Sequence, residues 1–237
     1  EWIKCPLGDI LNFRRGHDLP KTSMIPGDIP VAGSNGIIGF HNVSTPISPC
    51  ITIGRSGNVG TPYIYDKCWA HNTVLYIDDY KGNDPKYLYY LLKTLPLASF
   101  GGGSAVPTLN RNHIHPLEVD FCRDIELQKK IAGILSKIDD KIELNRQIND
   151  NLEQQASSLL SDWISTYPCR TYKLSDICKY VSAKFDTGNL TSQNYISTEN
   201  MLPNKKGIVD ASNIPTGKVT HFKVDDILIA NIRPYFQ

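Results

Sequence analysis

The stretch that most constrains the fold is residues 124–165, which contain no proline and a single glycine, Gly133. Apolar or small side chains recur there at alternating intervals of four and three residues, and Asp124 is suited to cap the start. A mean period of about 3.5 is typical of coiled coils, so the stretch predicts one helix of about 40 residues, roughly 60 Å long. Such a helix cannot bury its own apolar stripe and needs a partner helix.

The predicted seam of this helix carries two asparagines near its centre. A buried polar residue in such a seam weakens the contact but fixes its register and orientation. A plainer interpretation also stays open, in which Asn145 and Asn149 are exposed positions on a bent helix. The seam residues are Ile131, Leu135, Ile138, Ile142, Asn145, Asn149, Leu152, Ala156, Leu159 and Trp163.

The residues before this helix have the composition of β structure. Short apolar runs alternate with Gly, Pro and Asn turn signals, which predicts several strands. Asp84 followed by Pro85 favours the start of a helix of about ten residues that ends before Pro96. Residues 106–120 look extended again. The predicted strands lie at 29–32, 36–40, 49–54, 62–65 and 73–77.

A weak internal repeat indicates two copies of one β-rich module. The sequence LGDI at 7–10 recurs as LSDI at 174–177, and an apolar run followed by a polar arginine-containing loop occurs at 50–55 and again at 227–233. The predicted class is α+β. Its three predicted parts are a first module at 1–123, a helical spacer at 124–166 and the start of a second, incomplete module at 167–237.

The glycine-rich loop TIGRSGNVGTPY at 52–63 is the most distinctive of the turns. It is not a Walker phosphate loop, because no Gly-Lys-Ser/Thr follows, and its glycine spacing does not match a dinucleotide fingerprint. A hairpin or bulged corner fits better, and a purely structural turn stays open. The Asn35-Gly36 pair predicts a type I′ turn at 33–36, with Ser34 and Asn35 at its tip.

Several Arg, Asn, His and Ser residues gather at these loops, and together they favour a DNA-binding surface. Arginine pairs well with guanine, asparagine pairs with adenine, and glycine lets backbone N–H groups approach phosphate. Arg55 and Asn35 are the preferred candidates for base contacts. The candidates are Arg14, Arg15, Ser34, Asn35, Gly36, Arg55, Ser56, Gly57, Asn58, His71, Asn72 and Arg111 in the first module, with Asn231 and Arg233 in the second.

Composition excludes several other classes. The formal net charge is only +1, so the overall charge gives no indication of nucleic-acid binding. None of the six cysteines forms a Cys-x-x-Cys pair, and no His/Cys cluster has zinc spacing, which favours reduced thiols in a cytoplasmic protein without a metal. No apolar run reaches the roughly 20 residues of a membrane span.

The combination resembles the specificity subunit of a type I restriction–modification system. The junction of the first module with the long helix is the most specific part of the resemblance, and the glycine loops alone are weak. The segments that carry it are LGDI at 7–10, GSNGIIG at 33–39, IGRSGNVG at 53–60, SAVPTLN at 104–110, IELQKKIA at 125–132, LSKIDDKI at 135–142, YISTENM at 195–201 and DILIANIRPY at 226–235.

The resemblance implies a non-catalytic DNA-recognition subunit. Each of two target-recognition domains would bind one half of a split double-stranded DNA target, and paired helices would set the gap. The same helices would dock the methyltransferase subunits and, through them, the restriction subunits. No cofactor is implied in this chain: S-adenosylmethionine would sit on the methyltransferase partner, and ATP with Mg²⁺ on the nuclease partner.

This sequence departs from the family pattern because its second domain is short and a second long helix is missing. A piece of a longer subunit is favoured over a naturally truncated cassette or a half subunit that pairs with a second copy. Two other classes stay open: an enzyme using Ser56, His71 and Asp66, and a coiled-coil adaptor with protein- or carbohydrate-binding β domains. The enzyme is disfavoured because no nucleophile elbow is present.

Overall fold

The computed structural model describes residues 1–102, 107–168, 170–202 and 207–228. They form two compact units, Glu1–Leu159 and Leu160–Gln237. The elements up to the long helix are β1 (Trp2–Pro6), α1 (Leu7–Ile10), β2 (Asn12–Arg15), β3 (Ile29–Gly33), β4 (Gly36–His41), β5 (Cys50–Gly54), β6 (Pro62–Tyr65), β7 (Trp69–Ala70), β8 (Val74–Asp79), α2 (Pro85–Thr94), β9 (Gly101–Gly102), β10 (Thr108–Leu109), α3 (Arg111–Ile114) and β11 (Glu118–Cys122). The elements after them are α4 (Ile125–Thr166), α5 (Leu174–Ile177), β12 (Lys184–Asp186) and β13 (Lys218–Thr220).

The first unit is built on two small sheets. One has four antiparallel strands in the order β2-β8-β5-β6, and the other has three strands in the order β4-β3-β7, with β3 and β7 parallel. β1 pairs with β11 in a separate ribbon, and β9 pairs with β10 in another. All five strands predicted from the sequence are confirmed, and the α+β class is confirmed with them.

The core lies where the four-stranded sheet packs against α2 and the β1–β11 ribbon. β5 is buried along its whole length, including the polar residue Thr52 between Ile51 and Ile53. Phe13, Ile53, Ile77 and Leu88 are fully buried in the main cluster. A smaller cluster that includes Cys50 and Cys68 is buried alongside it.

The short helix α2 begins and ends as its sequence predicts. The Asp84 side chain accepts a hydrogen bond from the amide of Tyr87 at 2.8 Å, and Pro85 is the first helical residue. The helix ends at Thr94, before Pro96. Its Tyr and Leu stripe packs into the core, with Tyr87, Leu88 and Leu92 buried.

The long helix α4 has 42 residues, as the seam pattern predicts, which corresponds to about 63 Å. Only Gln128 and Ala132, both in its first turns, are buried. Beyond them an apolar stripe stays exposed: Ile138 is 52% exposed, Leu152 57% and Leu159 60%. The first turns of the helix therefore pack against the first module, and the rest of the helix exposes an apolar face.

The second unit repeats the start of the first. α5 is a single helical turn with the sequence LSDI, and α1 is a single turn with LGDI. After α5 the described residues form the short pair β12–β13. The buried amide of Asn200 donates to the carbonyls of Tyr195 and Val209 and organises the loop between them. The two copies thus share one helical turn, but Leu7 and Ile10 are buried whereas Leu174 and Ile177 are exposed, and residues 229–233 of the second repeated segment lie outside the described residues.

Two local predictions are wrong. The turn between β3 and β4 is not type I′, because Ser34 and Asn35 lack positive φ and only Gly36 has one, at 99°. That combination instead fits a type I turn followed by a left-handed glycine. Residues 106–120 are also not extended throughout, since Arg111–Ile114 form the helical turn α3, capped by the Asn110 side chain.

Candidate nucleic-acid interface

The glycine loop 54–60 is a hairpin corner between β5 and β6, as the sequence predicts. The Gly54 amide donates to Thr61, and the Gly60 amide donates back to Gly54 at 2.8 Å. A Cβ on Gly54 would lie 1.7 Å from the Asn58 carbonyl oxygen, so only glycine fits there. The outer glycines, Gly54 and Gly60, are buried, and the central residues Gly57 and Asn58 are exposed.

The two polar loops of the first module lie next to each other. A Cβ built on Gly57, whose φ is 84°, would lie 3.8 Å from the Ser34 hydroxyl oxygen. Asn35 is exposed at the tip of the β3–β4 turn, and the Asn58 side chain accepts from the Thr61 hydroxyl at 3.3 Å. The hairpin tips predicted to contact DNA thus form one polar ridge.

Four predicted arginines line one concavity in the same unit. We call this cavity, of about 650 Å³, the arginine groove. Its arginines come from three separate segments, and the Asp18 carboxylate is the only acidic group among its lining residues. The lining residues are Arg14, Arg15, Gly16, His17, Asp18, Arg55, Leu75, Thr108, Leu109, Asn110 and Arg111.

The arginines of the groove are held at different strengths. Arg14 pairs with Asp78 at 3.8 Å and Arg15 with Asp18 at 4.0 Å, with the arginine side chains 62% and 57% exposed. Pairs this exposed contribute little energy and are easily exchanged for another anion. Arg111 is tied more firmly, because its Nη1 donates to the Phe13 carbonyl at 3.1 Å.

The backbone of Arg55 is clamped from both sides. Its amide donates to the Thr73 carbonyl at 2.8 Å, and its own carbonyl accepts from the Leu109 amide at 2.7 Å. Ser56 is bridged to Thr108, and the Arg55 Nη1 lies 3.5 Å from the Asn72 carbonyl. The side chain of Arg55 therefore projects from a rigidly held backbone, which is the arrangement that a base-reading side chain needs.

His71 and Asn72 lie at the edge of the arginine groove. The His71 Nδ1 is 3.1 Å from the Thr73 hydroxyl, and the Asn72 amide donates to the Asp18 carboxylate. Among the described contacts, no hydrogen bond joins His71 to Ser56, so the Ser–His pair of the enzyme alternative is not assembled. Asp18 itself is absent from the sequence-based candidates; its signal was its position next to the basic cluster 14–17.

His115 supports the strand that carries Arg14 and Arg15. Its Nε2 accepts a hydrogen bond from the Phe13 amide at 3.2 Å, and its ring stacks on the Phe13 ring. Burial lowers the pKa of His115 below its usual 6.5, and the nearby positive charges of Arg111 and Lys81 lower it further. The lowered pKa favours the neutral ring, which the bond from the Phe13 amide requires.

The remaining predicted residues fall into two groups. On α4, Ile138, Ile142, Asn145, Asn149, Leu152 and Leu159 are exposed, whereas Leu135 is half-buried. Ile131 differs from the prediction of a partner-helix contact, because it packs against the core of its own unit. The candidates Asn231 and Arg233 lie outside the described residues. Within the described part of the chain, no helix is long and apolar enough to cross a membrane.

Comparison with known proteins identifies the class. A family model described as the type I restriction modification DNA specificity domain matches residues 1–154. This is more than half of the 237 residues, so the chain belongs to that family of specificity subunits. The family resemblance inferred from the sequence is therefore confirmed.

Individual relatives agree with this assignment. The chain is 25% identical over 178 residues to a putative type I specificity subunit of Mycoplasma pneumoniae, covering 69% of this chain and 48% of that protein. It is 55% identical over 85 residues to the type I restriction enzyme HindI specificity subunit of Haemophilus influenzae, covering 33% of this chain and 18% of that protein. The chain thus spans about half or less of the length of these relatives.

Solved structures share the fold. The crystal structure of a type I restriction–modification S subunit from M. genitalium superimposes with a TM-score of 0.54 at 20% identity, covering 90% of this chain and 63% of that one. A chain from a structure of the assembling type I R-M system gives a TM-score of 0.51 at 14% identity, covering 67% of this chain and 43% of that one. At these identities the likeness concerns the fold alone.

Proposed function

We propose that this chain is a non-catalytic DNA-recognition subunit whose first module binds one half of a bipartite double-stranded target through the arginine groove and the adjoining polar ridge. One observation carries the proposal: Arg14, Arg15, Arg55 and Arg111 come from three distant segments and line a single concavity. Clustered arginines supply the phosphate contacts that dominate DNA affinity, and a rigidly mounted arginine supplies base discrimination.

The arginines have distinct roles in this proposal. Arg14 and Arg15 are exposed and weakly paired, so they exchange Asp78 and Asp18 for phosphates. Arg55, mounted on a clamped backbone, contacts a base edge. A cavity of about 650 Å³ is too small to enclose a duplex, so the duplex lies across its mouth and the loop tips enter a groove of the DNA.

The exposed apolar stripe of α4 is the proposed docking surface for a partner helix and for the methyltransferase subunits, through which restriction subunits join. The chain holds no cofactor in this proposal. S-adenosylmethionine belongs to the methyltransferase partner, and ATP with Mg²⁺ to the nuclease partner. Co-expression with the methyltransferase subunit followed by mapping of methylated adenines is expected to return a split motif.

A substitution pair tests the assignment of Arg55. Arg55→Ala is expected to cost about 1–3 kcal/mol on the target duplex and to relax the preference at one base position. Arg146→Ala is the control, because it removes the same charge from the exposed surface of α4. Gel-shift titrations on target and random duplexes measure both, and equal binding by the two variants would contradict the role of Arg55.

Salt dependence separates this proposal from the adaptor alternative. Binding of the chain to random duplex DNA is expected to weaken steeply between low and physiological salt, because phosphate contacts release counterions. Arg15→Ala is expected to lower that slope by about one unit. Absence of any salt-dependent DNA binding would favour an adaptor with protein- or carbohydrate-binding domains.

A further inference from the structure

The junction between the first module and α4 contains a fully buried amide. Gln128 has no exposed surface, although it lies on the first turns of a helix that is otherwise mostly exposed. Glutamine is seldom buried completely, and a buried amide is costly unless its hydrogen-bonding groups are satisfied. The hydrogen-bond partners of the Gln128 side chain therefore indicate the role of this buried amide.

The amide of Gln128 bonds directly to two pieces of the module, residues 83–84 before α2 and the end of β11, and is linked to a third through Asn83. Its Oε1 accepts from the backbone amide of Asp84, the capping residue of α2, at 2.9 Å. Its Nε2 donates to the carbonyl of Cys122, the last residue of β11, at 2.7 Å and to the Asn83 side chain at 3.1 Å. Asn83 in turn donates to the carbonyl of Ile10 at the end of α1. We call this set of bonds the Gln128 junction.

We propose that Gln128 is the positioning residue that fixes the direction in which the spacer helix leaves the recognition module. The apolar contacts of Leu127, Ile131 and Ala132 hold the helix against the module, but apolar burial is not directional. Hydrogen bonds are directional, and the three bonds of Gln128, to residues 83–84 before α2 and to the end of β11, restrict the orientation of the helix. A second bond, from the Tyr90 hydroxyl to Asp139 at 2.9 Å, also joins α4 to the module but is only partly buried, whereas Gln128 is fully buried.

The length of the helix makes this direction important. Leu159 lies 31 residues beyond Gln128, or about 46 Å along the axis. A change in direction of about 10° displaces that point by about 8 Å, which exceeds two base-pair steps of B-DNA. If the proposed function holds, Gln128 therefore contributes to the distance between half-sites without contacting DNA.

Distance measurements on the full chain test the role directly. Spin labels on unnatural residues replacing the exposed Lys67 and Asp150 report the direction of α4, and dilution with unlabelled protein removes distances between copies. Position 150 lies 22 residues past Gln128, about 33 Å, so a swing of about 10° moves it by about 6 Å. Gln128→Met, which keeps the length and removes all three bonds, is expected to broaden or shift the distance distribution by several ångströms.

Three further variants make the result decisive. Gln147→Met changes an exposed glutamine of the same helix, and Ile114→Val weakens the core away from the junction; both are expected to keep the wild-type distribution. If Gln128→Met does not fold, Asn83→Ala removes one of the three bonds of Gln128, together with the bond from Asn83 to Ile10, and is expected to broaden the distribution by a smaller amount. An unchanged distribution in Gln128→Met, or in Asn83→Ala when Gln128→Met is unfolded, would overturn the proposal. No DNA is needed, so this outcome is independent of the proposed function.

Discussion

The arginine groove and the Gln128 junction are both polar parts of the first unit, yet they are built in opposite ways. In the groove, Arg14 and Arg15 are more than half exposed and sit 3.8–4.0 Å from their carboxylates. In the junction, Gln128 is fully buried and makes three bonds of 2.7–3.1 Å. Exposed pairs can be exchanged for an incoming phosphate at little cost, whereas a buried satisfied amide cannot move without losing every bond.

The largest effect is expected at the junction. Gln128→Met leaves the Asp84 amide and the Cys122 carbonyl buried without their partner, at a cost of about 3 kcal/mol in unfolding free energy. Gln147→Met on the exposed face is expected to stay within about 0.5 kcal/mol of wild type. Urea denaturation measures the unfolding free energy of both variants. A cost below about 1 kcal/mol for Gln128→Met would contradict this difference between the buried junction and the exposed groove.

Substitution in the loop that carries Arg55 is expected to lower the stability of the fold nearly as much, although substitution of the exposed arginines is not. Gly54→Ala places a Cβ 1.7 Å from the Asn58 carbonyl oxygen, so the loop carrying Arg55 must move, at a cost of about 2 kcal/mol. Gly102→Ala is the matched control, because a Cβ there has no atom of the described residues within 4 Å. Thermal unfolding of both variants measures the difference, and equal melting temperatures would show that the loop adapts.

A pH effect is expected from His115 behind the groove. Because its folded pKa lies below 6.5, the unfolded chain takes up the proton first as pH falls. Its contribution to stability is complete above pH 6.5 and is lost as pH falls from there through the lowered folded pKa. The melting temperature of wild type is expected to drop between pH 7.5 and 5.5 by more than that of His115→Gln. The exposed control His113→Gln is expected to behave like wild type.

The smallest effect on stability is expected at Asp18. Asp18→Asn removes the exposed pair with Arg15 and is expected to change the unfolding free energy by less than about 0.5 kcal/mol. Its effect on DNA is larger, since losing the one acidic side chain that lines the groove should raise affinity for random duplex roughly threefold. Asp150→Asn on α4 makes the same charge change elsewhere. Equal affinities of the two variants for random duplex DNA would show that Asp18 does not affect DNA binding by the groove.

Most of the fold was predictable because short sequence patterns determine where its helices and strands begin and end. Asp84 and Pro85 start α2, and the four–three spacing predicts α4. The type of the turn at 33–36 was mistaken because the Asn-Gly pair was taken as a type I′ signal, whereas only Gly36 has a positive φ and it pairs with Gly33 beyond the tip. The helical turn at Arg111–Ile114 was missed because a four-residue helix is too short to show periodicity.

The candidate site was predictable as a set of residue types and not as an arrangement. Arginine and asparagine at turns were visible in the sequence, and Arg14, Arg15, Arg55 and Arg111 do meet. Asp18 was missed because its role depends on contacts with Arg15 and Asn72, of which Asn72 is distant in the chain. The contacts of these residues with DNA stay predictions.

The sequence by itself determined the α+β class, the long helix, the repeated module start and the family, because each depends on residue type and spacing along the chain. Tertiary structure decided which arginines share a groove, which glycines are packing positions and where Gln128 finds its partners. Most of these depend on groups brought together from distant parts of the chain, as in the bonds of Gln128 to Asp84 and Asn83, which lie 44 and 45 residues away. Local pattern holds no information about such pairings, because they follow from how sheets and helices pack.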